Sequence, residues 1–322
     1  MKKRILSGVQ PSGQLHIGNY FGMIERMIQF QNETDLLCFV ANYHSMTSIN
    51  DKVKLEENTR EAFIDLLALG IDPDKSIFWV QSHVPEVTEL AWILSNFASV
   101  GLMQRSTSYK DKIANGLKPN MGLFSYPILM ASDILLFQSE IVPVGKDQKQ
   151  HLEMTRDIAS SFNHQNGETF VLPEPLIDER VMVIPGTDGR KMSKSYDNYI
   201  NIFLPDKKLR KVIMRIETDS TPMEEPKNPD SCNVFALYKL LANDDQIAEM
   251  RKNYEGGNYG YGHAKQALYE LIVDIFKSER ENYWRLMENT DEIDRLLKEG
   301  AEKARKVAQP VLQKVRNKLG YN

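Results

Sequence analysis

Three segments of the chain hold residues whose types and spacing suit chemistry. In Gly8-Val9-Gln10-Pro11-Ser12-Gly13-Gln14-Leu15-His16-Ile17-Gly18-Asn19 the glycines let backbone approach a ligand, and a helix begins near Ile17. A helix start presents unpaired N–H groups to phosphate. In Lys191-Met192-Ser193-Lys194-Ser195 two lysines stand three apart beside two hydroxyls, and lysine is a compact cation suited to a polyphosphate. Taken singly, the first segment fits a tight strand-to-helix turn and the second a solvated loop. Their pairing in one chain carries the weight. The third is Tyr126-Pro127-Ile128-Leu129-Met130-Ala131-Ser132-Asp133-Ile134-Leu135-Leu136, an apolar helical run interrupted by Asp133. A carboxylate is seldom buried without a partner, because an uncompensated charge is costly there.

The elements that must position these residues follow from periodicity. Arg4 to Val9, Leu36 to Val40 and Ile77 to Val80 read as strands, each followed by a helical pattern, which predicts a doubly wound, mostly parallel sheet. From Asp206 onward strand signals fade. Leu268, Leu271, Ile272, Ile275 and Phe276 follow one helical face. The expected fold is therefore α/β, with residues 1–205 as a sheet domain and residues 206–322 as a smaller all-helical domain whose last helix packs back on the first. Near the end of the sheet domain, Ile184-Pro185-Gly186-Thr187-Asp188-Gly189-Arg190 reads as a mobile, turn-rich loop.

Composition narrows the class. The chain has 322 residues, 42% hydrophobic and 26% charged, which is the profile of a protein with a real core. Cys38 and Cys232 are the two cysteines, and neither has metal-ligand spacing, so disulfide and structural-zinc readings fall away. Met1-Lys2-Lys3-Arg4 opens as a signal peptide would, but the apolar run ends after Ile5-Leu6. A cytoplasmic protein with no membrane association is expected. A net charge of -4 argues against indiscriminate nucleic-acid binding and leaves room for a regional basic stripe.

The first segment resembles the HIGH signature of class I aminoacyl-tRNA synthetases, and Lys191–Ser195 reproduces their KMSKS signature letter for letter. The resemblance implies a Rossmann-type catalytic domain that condenses an amino acid with ATP, accompanied by Mg2+, and passes it to the 3' end of tRNA. In such a reaction the carboxylate attacks the α-phosphorus in line, so catalysis is mostly positioning and charge stabilisation. It assigns the catalytic part to His16, Gly18, Asn19, Lys112, Lys191 and Lys194. Gln10, Pro11 and Ser12 would approach the phosphates, and Lys112 would be a third phosphate ligand. Gly145, Lys146 and Asp147 would meet the nucleotide, Asp147 at the ribose, with Val181 and Met192 beside the base and Ser193 and Ser195 in the closing loop. Asn19 stands where the signature has its second histidine, as in the tryptophan branch.

The amino acid is narrowed by the Asp133 helix and by Val142-Pro143-Val144-Gly145-Lys146-Asp147-Gln148-Lys149-Gln150-His151, which together resemble the tryptophanyl-tRNA synthetases. In that family the aspartate accepts the indole N–H. The resemblance sets Leu6, Gly8, His44, Tyr126, Met130, Ile134, Val142, Val144 and Gln148 around the substrate, Gln148 near its ammonium and carboxylate end. Singly, Met130, Val142 and Val144 read as core and His44 as a satisfied buried histidine. Phenylalanine is expected to leave Asp133 unpaired, and sites built to hydrogen-bond a substrate group reject analogues lacking it by roughly 10⁴–10⁵. Tyrosine must be excluded by shape. Leu6 replaces a frequent phenylalanine of the family and Lys146 a frequent glutamate.

The same resemblance implies a homodimer that binds tRNA(Trp) across both subunits and reads the anticodon with the helical domain. Lys207, Lys208, Arg210, Lys211 and Arg215 are candidates for RNA phosphates. The segment Glu299–Asn322 carries six cations against two anions, which suits either RNA or a solvated helix face. Three rivals stand beside this reading. A tyrosyl enzyme shares both signatures but not the pocket motif, an inactive RNA-binding paralogue would not need Lys191, Lys194, Asp133 and Gln148, and a small adenylyltransferase would not need the helical domain.

Overall fold

A computed structural model of the chain describes residues 2–114, 116, 118–177 and 183–321, with the backbone alone at residues 107, 108, 111, 112 and 147. The chain divides into two units: Met1–Ser12, Arg26–Val181 and Asn289–Asn322 form one, Gly13–Glu25 and Met182–Glu288 the other.

The first unit is built on a parallel sheet of β1 (Arg4–Val9), β2 (Asp35–Val40), β3 (Ile77–Val80), β4 (Ile141–Val144) and β5 (Glu174–Ile177), in the order β3-β2-β1-β4-β5. This is the Rossmann-type doubly wound arrangement, and the order reverses between β1 and β4. Such a switch point opens a crevice at the carboxyl ends of the strands. The first three strands match the apolar runs of the sequence. β4 and β5 escape periodicity because each has only four residues and contains a proline.

Strands covered on both faces must be apolar throughout, and Leu36, Leu37, Cys38 and Val40 are fully buried. Neighbouring residues of β3 serve opposite faces. Phe78 stacks on Phe63 of the helix Lys52–Ala68 at 4.3 Å between ring centroids, while Trp79 stacks on Phe39 at 5.3 Å and meets Phe137 at 4.6 Å. The terminal helix Thr290–Leu319 packs along this unit through Gly300, Ala304, Ala308, Leu312 and Val315, all buried. At Gly300 a Cβ would collide with the backbone carbonyl of Phe78, so only glycine lets helix and strand backbones approach this closely. Arg305 on Glu86 at 2.8 Å and Arg316 on Glu89 at 2.7 Å fix the register of this helix.

The second unit has the helices Asp206–Met214, Asn233–Leu241, Asp244–Gly256, Tyr261–Ile275 and Lys277–Glu288. Leu268, Leu271, Ile272 and Phe276 are buried as their spacing requires, but Ile275 is 40% exposed. The helix ends at Ile275, and the cap turn carries Phe276 inward onto Tyr20, 4.9 Å away edge to face. Arg280 is buried and ties down the chain entering this bundle: it donates to the carbonyls of Ile202 and Leu204 and to Asp206 at 2.6 Å.

Candidate active site

In the first unit the polar centre is Asp133, on the helix Met121–Leu136 and 3% exposed. His44 donates from Nε2 to Oδ2 at 2.8 Å, and the Gln81 amide nitrogen reaches Oδ1 at 2.8 Å and Oδ2 at 2.9 Å. Gln81 follows β3 directly, at the carboxyl edge of the sheet. Its Oε1 accepts the Tyr43 N–H at 2.9 Å, which turns the NH2 toward Asp133. Burial pushes the Asp133 carboxyl above the usual carboxylate range, and the hydrogen bonds from His44 and Gln81 pull it back.

These partners correct one expectation. Phenylalanine would not orphan Asp133, because the chain itself satisfies the carboxylate. A carboxylate offers about four lone-pair positions; among the described residues three contacts are made here, and Oδ1 accepts from Gln81 alone. A lone-pair position for one further donor remains on Oδ1.

A second polar chain runs through Tyr126, whose ring meets His44 edge to face at 6.3 Å. Tyr126 OH bonds His151 Nε2 at 2.8 Å, and His151 Nδ1 bonds Gln148 Oε1 at 2.8 Å. Since an amide oxygen only accepts, His151 carries its proton on Nδ1, and Tyr126 donates to Nε2. Gln148 is thereby held with a defined amide orientation. Leu6, Ile134 and Val142 are buried in the apolar core beside these groups, with Met130 and Val144 half-buried against it. Gly8 faces the Phe39 ring, which would lie 2.7 Å from a Cβ at that position. Gln10 and Ser12 are exposed and Pro11 is buried; Gly145 is half-buried, and Lys146 is exposed in the short helical turn before Lys149–Asn166. Val181 and the side chains of Lys112 and Asp147 lie outside the described residues.

The second unit brings together His16, Gly18, Asn19 and the Lys191–Ser195 loop. His16 precedes the first turn of helix, its N–H donates to Asn19 Oδ1 at 3.1 Å, and the Ile17 N–H is taken by the Ile200 carbonyl at 3.0 Å. The imidazole is buried, and among the described residues its Nδ1 has no hydrogen-bond partner. Burial and then the nearby Lys194 charge lower His16 to about 4, so the ring is neutral at pH 7. Gly18 must lack a side chain, since a Cβ would meet His16 Nδ1 at 2.9 Å and Met192 Sδ at 3.5 Å. Lys194 Nζ donates to the Gly13 carbonyl at 2.7 Å, where Gly13 has φ +112°.

The loop itself is a short antiparallel turn: Pro185 pairs with Lys191, and Met192 N–H bonds the Ile184 carbonyl at 2.8 Å. Lys191 and Ser195 are exposed, Met192 is buried, and Ser193 caps the next turn by accepting the Ser195 N–H at 3.2 Å. Gln81 and Asn198, which knit these clusters, carry no periodic signal in the sequence, and His151 is marked only as the last residue of the Val142–His151 motif. Position alone points to Gln81 and Asn198, the first at a strand's carboxyl end and the second just past the lysine segment.

The chain matches the family described as tRNA synthetases class I (W and Y) over residues 1–277. It is 52% identical to tryptophan–tRNA ligase of Campylobacter jejuni, over 98% of this chain and 99% of that one, and 52% identical to that of Fusobacterium nucleatum, over 99% and 98%. The crystal structure of the Campylobacter jejuni tryptophanyl-tRNA synthetase complexed with ADP and tryptophan superposes with a TM-score of 0.96, covering 98% of this chain and 99% of that one at 52% identity. The Mycoplasma pneumoniae tryptophanyl-tRNA synthetase is similar at 29% identity and a TM-score of 0.80, over 100% and 99%. Class I signatures, the Asp133 pocket and these relatives agree: the chain belongs to the bacterial tryptophanyl-tRNA synthetases of class I.

Proposed function

We propose that the chain activates L-tryptophan with ATP, giving tryptophanyl-adenylate and pyrophosphate, and then transfers tryptophan to the 3' end of tRNA(Trp), with Asp133 as the residue that recognises the indole N–H. The observation that carries this reading is a buried carboxylate held by two protein donors with a lone-pair position left on Oδ1. The relative from Campylobacter jejuni was solved with ADP and tryptophan, which supports the same pair of ligands here.

In the activation step the tryptophan carboxylate oxygen forms the bond to the α-phosphorus as the bond to the pyrophosphate oxygen breaks. Gln148, oriented through His151 and Tyr126, holds the ammonium and carboxylate end. Leu6, Gly8, Met130, Ile134, Val142 and Val144 shape the apolar wall. Lys191 and Lys194 take up charge as it develops on the departing pyrophosphate, Lys194 leaving the Gly13 carbonyl to do so. His16 is neutral and serves as a hydrogen-bonding group toward phosphate, with Asn19 fixing its backbone. Lys112 is a further phosphate ligand; Gln10, Pro11, Ser12, Gly145, Lys146, Asp147, Val181, Ser193 and Ser195 line the nucleotide.

Among the described residues no three His, Cys, Asp or Glu side chains gather as metal ligands. Mg2+ is placed with the ATP phosphates, the usual mode for this ion. In the second step a ribose hydroxyl of the tRNA attacks the activated carbonyl, and AMP leaves. We assign residues 1–205 to catalysis and 206–322 to anticodon reading, in a cytoplasmic homodimer; among the described residues no helix is long and apolar enough to cross a membrane. Charging assays with tRNA(Trp) test the whole reading: tryptophan-dependent, ATP-dependent acylation supports it, and pyrophosphate exchange without acylation would remove the tRNA half.

A further inference from the structure

We infer that Asn198 is a positioning residue for the activation step, acting through the Lys191–Ser195 backbone; this rests on the proposed role of Lys191 and Lys194 at the phosphates. Asn198 is 2% exposed and lies just beyond the lysine segment. Its Oδ1 accepts the Ser193 N–H at 2.7 Å. Its Nδ2 donates to the Lys191 carbonyl at 3.1 Å and to Asp188 Oδ1 at 2.7 Å. Its own backbone carbonyl takes the Thr187 N–H at 2.9 Å. One side chain thus holds both limbs of the turn and the peptide groups on either side of Met192.

Space is reserved for this residue. Gly186 lies against Asn198, and a Cβ at Gly186 would collide with its amide and carbonyl. Asp188 is also engaged by Arg190, Nε to Oδ2 at 2.7 Å. The hydrogen bond from Asn198 holds the Asp188 carboxyl below the usual carboxylate range, with Arg190 adding to the effect. The lysine side chains are long and flexible, so their placement at a developing charge depends on the backbone that carries them. Asparagine suits the position because it supplies an acceptor for one peptide N–H together with donors for a carbonyl and a carboxylate.

The test is pyrophosphate exchange by the full chain carrying Asn198→Asp, read as the rate ratio to the parent between about pH 5.5 and pH 8. An ionised carboxylate at 198 still accepts from Ser193 but repels Asp188 and the Lys191 carbonyl; the protonated form regains one donor, for Asp188 or for the Lys191 carbonyl. The like charge of Asp188 raises the pKa of the introduced group. Asp188, Asp197, Arg215 and Glu217 line the cavity beside Asn198, and Arg190 pairs with Asp188, so each variant is read as its ratio to the parent.

The expected ratio is depressed about tenfold or more at pH 8 and recovers as pH falls, with KM for tryptophan unchanged. The paired change Asp188→Asn with Asn198→Asp is expected to recover part of the activity at pH 8, since the donor and the carboxylate trade places while the Lys191 carbonyl stays without its donor. A ratio within twofold of the parent at all pH values, or a loss that neither low pH nor the paired change relieves, overturns the inference. Lys194→Ala in the same assay separates the two ideas: if it too is silent, the phosphate role of the loop fails, and if it alone is damaging, only the role of Asn198 fails.

Discussion

Gln81 holds Asp133 by both carboxylate oxygens, at 2.8 and 2.9 Å, while the Tyr43 N–H fixes the far end of the same amide. The proposed indole acceptor is thus aimed by a strand-end residue that is itself held at both ends of its amide. Gln81→Leu should remove a charge-assisted hydrogen bond from a buried carboxylate and lower kcat/KM for tryptophan by about 1.5–3 kcal/mol. Steady-state exchange kinetics against tryptophan concentration would show it, and an unchanged kcat/KM would remove Gln81 from the recognition apparatus.

Asp133→Ala should be more severe. It deletes the indole acceptor and strands His44 and Gln81 in a buried site, with an expected loss of several kcal/mol of transition-state stabilisation. Tryptophan kcat/KM equal to the parent value would sink the assignment.

Lys194→Ala should lower the activation rate about 10²–10³-fold, the range for removing a group that stabilises developing charge, while KM for tryptophan stays within a few-fold. A change in tryptophan KM with kcat intact would place Lys194 in substrate binding instead.

His16 gives stability a pH dependence of fixed sign. Its folded value is lowered from 6.5 to about 4, so between those values the unfolded chain holds the proton that the folded chain refuses. Stability is fully present above about pH 6.5 and falls as pH drops toward 4. His16→Gln should reduce the slope of unfolding free energy against pH in that window, measured by urea unfolding; an identical slope would show that another group carries it.

Gly300→Ala should cost about 3 kcal/mol or more, because the terminal helix would have to leave the Phe78 carbonyl. A thermal melt within a degree or two of the parent would contradict the close backbone approach.

The sheet was legible where burial on both faces demands unbroken apolar runs, as at Leu36 to Val40, and was missed where a short strand carries a proline, as at Pro143 and Pro175. Asp133 stood out because a carboxylate in an apolar helix needs a reason. Gln81 did not, being a glutamine after a strand, and His44 was marked only by the family resemblance; long-range packing joins residues 44, 81 and 133. The same holds for Asn198, which gains meaning only when the turn folds Asp188, Lys191 and Ser193 around it, and for Ile275, whose helical phase promised burial that the end of its helix withdrew.

The most direct measurement is ATP–pyrophosphate exchange with each of the twenty amino acids in turn, without tRNA. Stimulation by tryptophan alone is the predicted result. Stimulation by tyrosine instead would leave the fold and both signatures standing while contradicting the Asp133 pocket, and exchange with none of the twenty would contradict the activity itself.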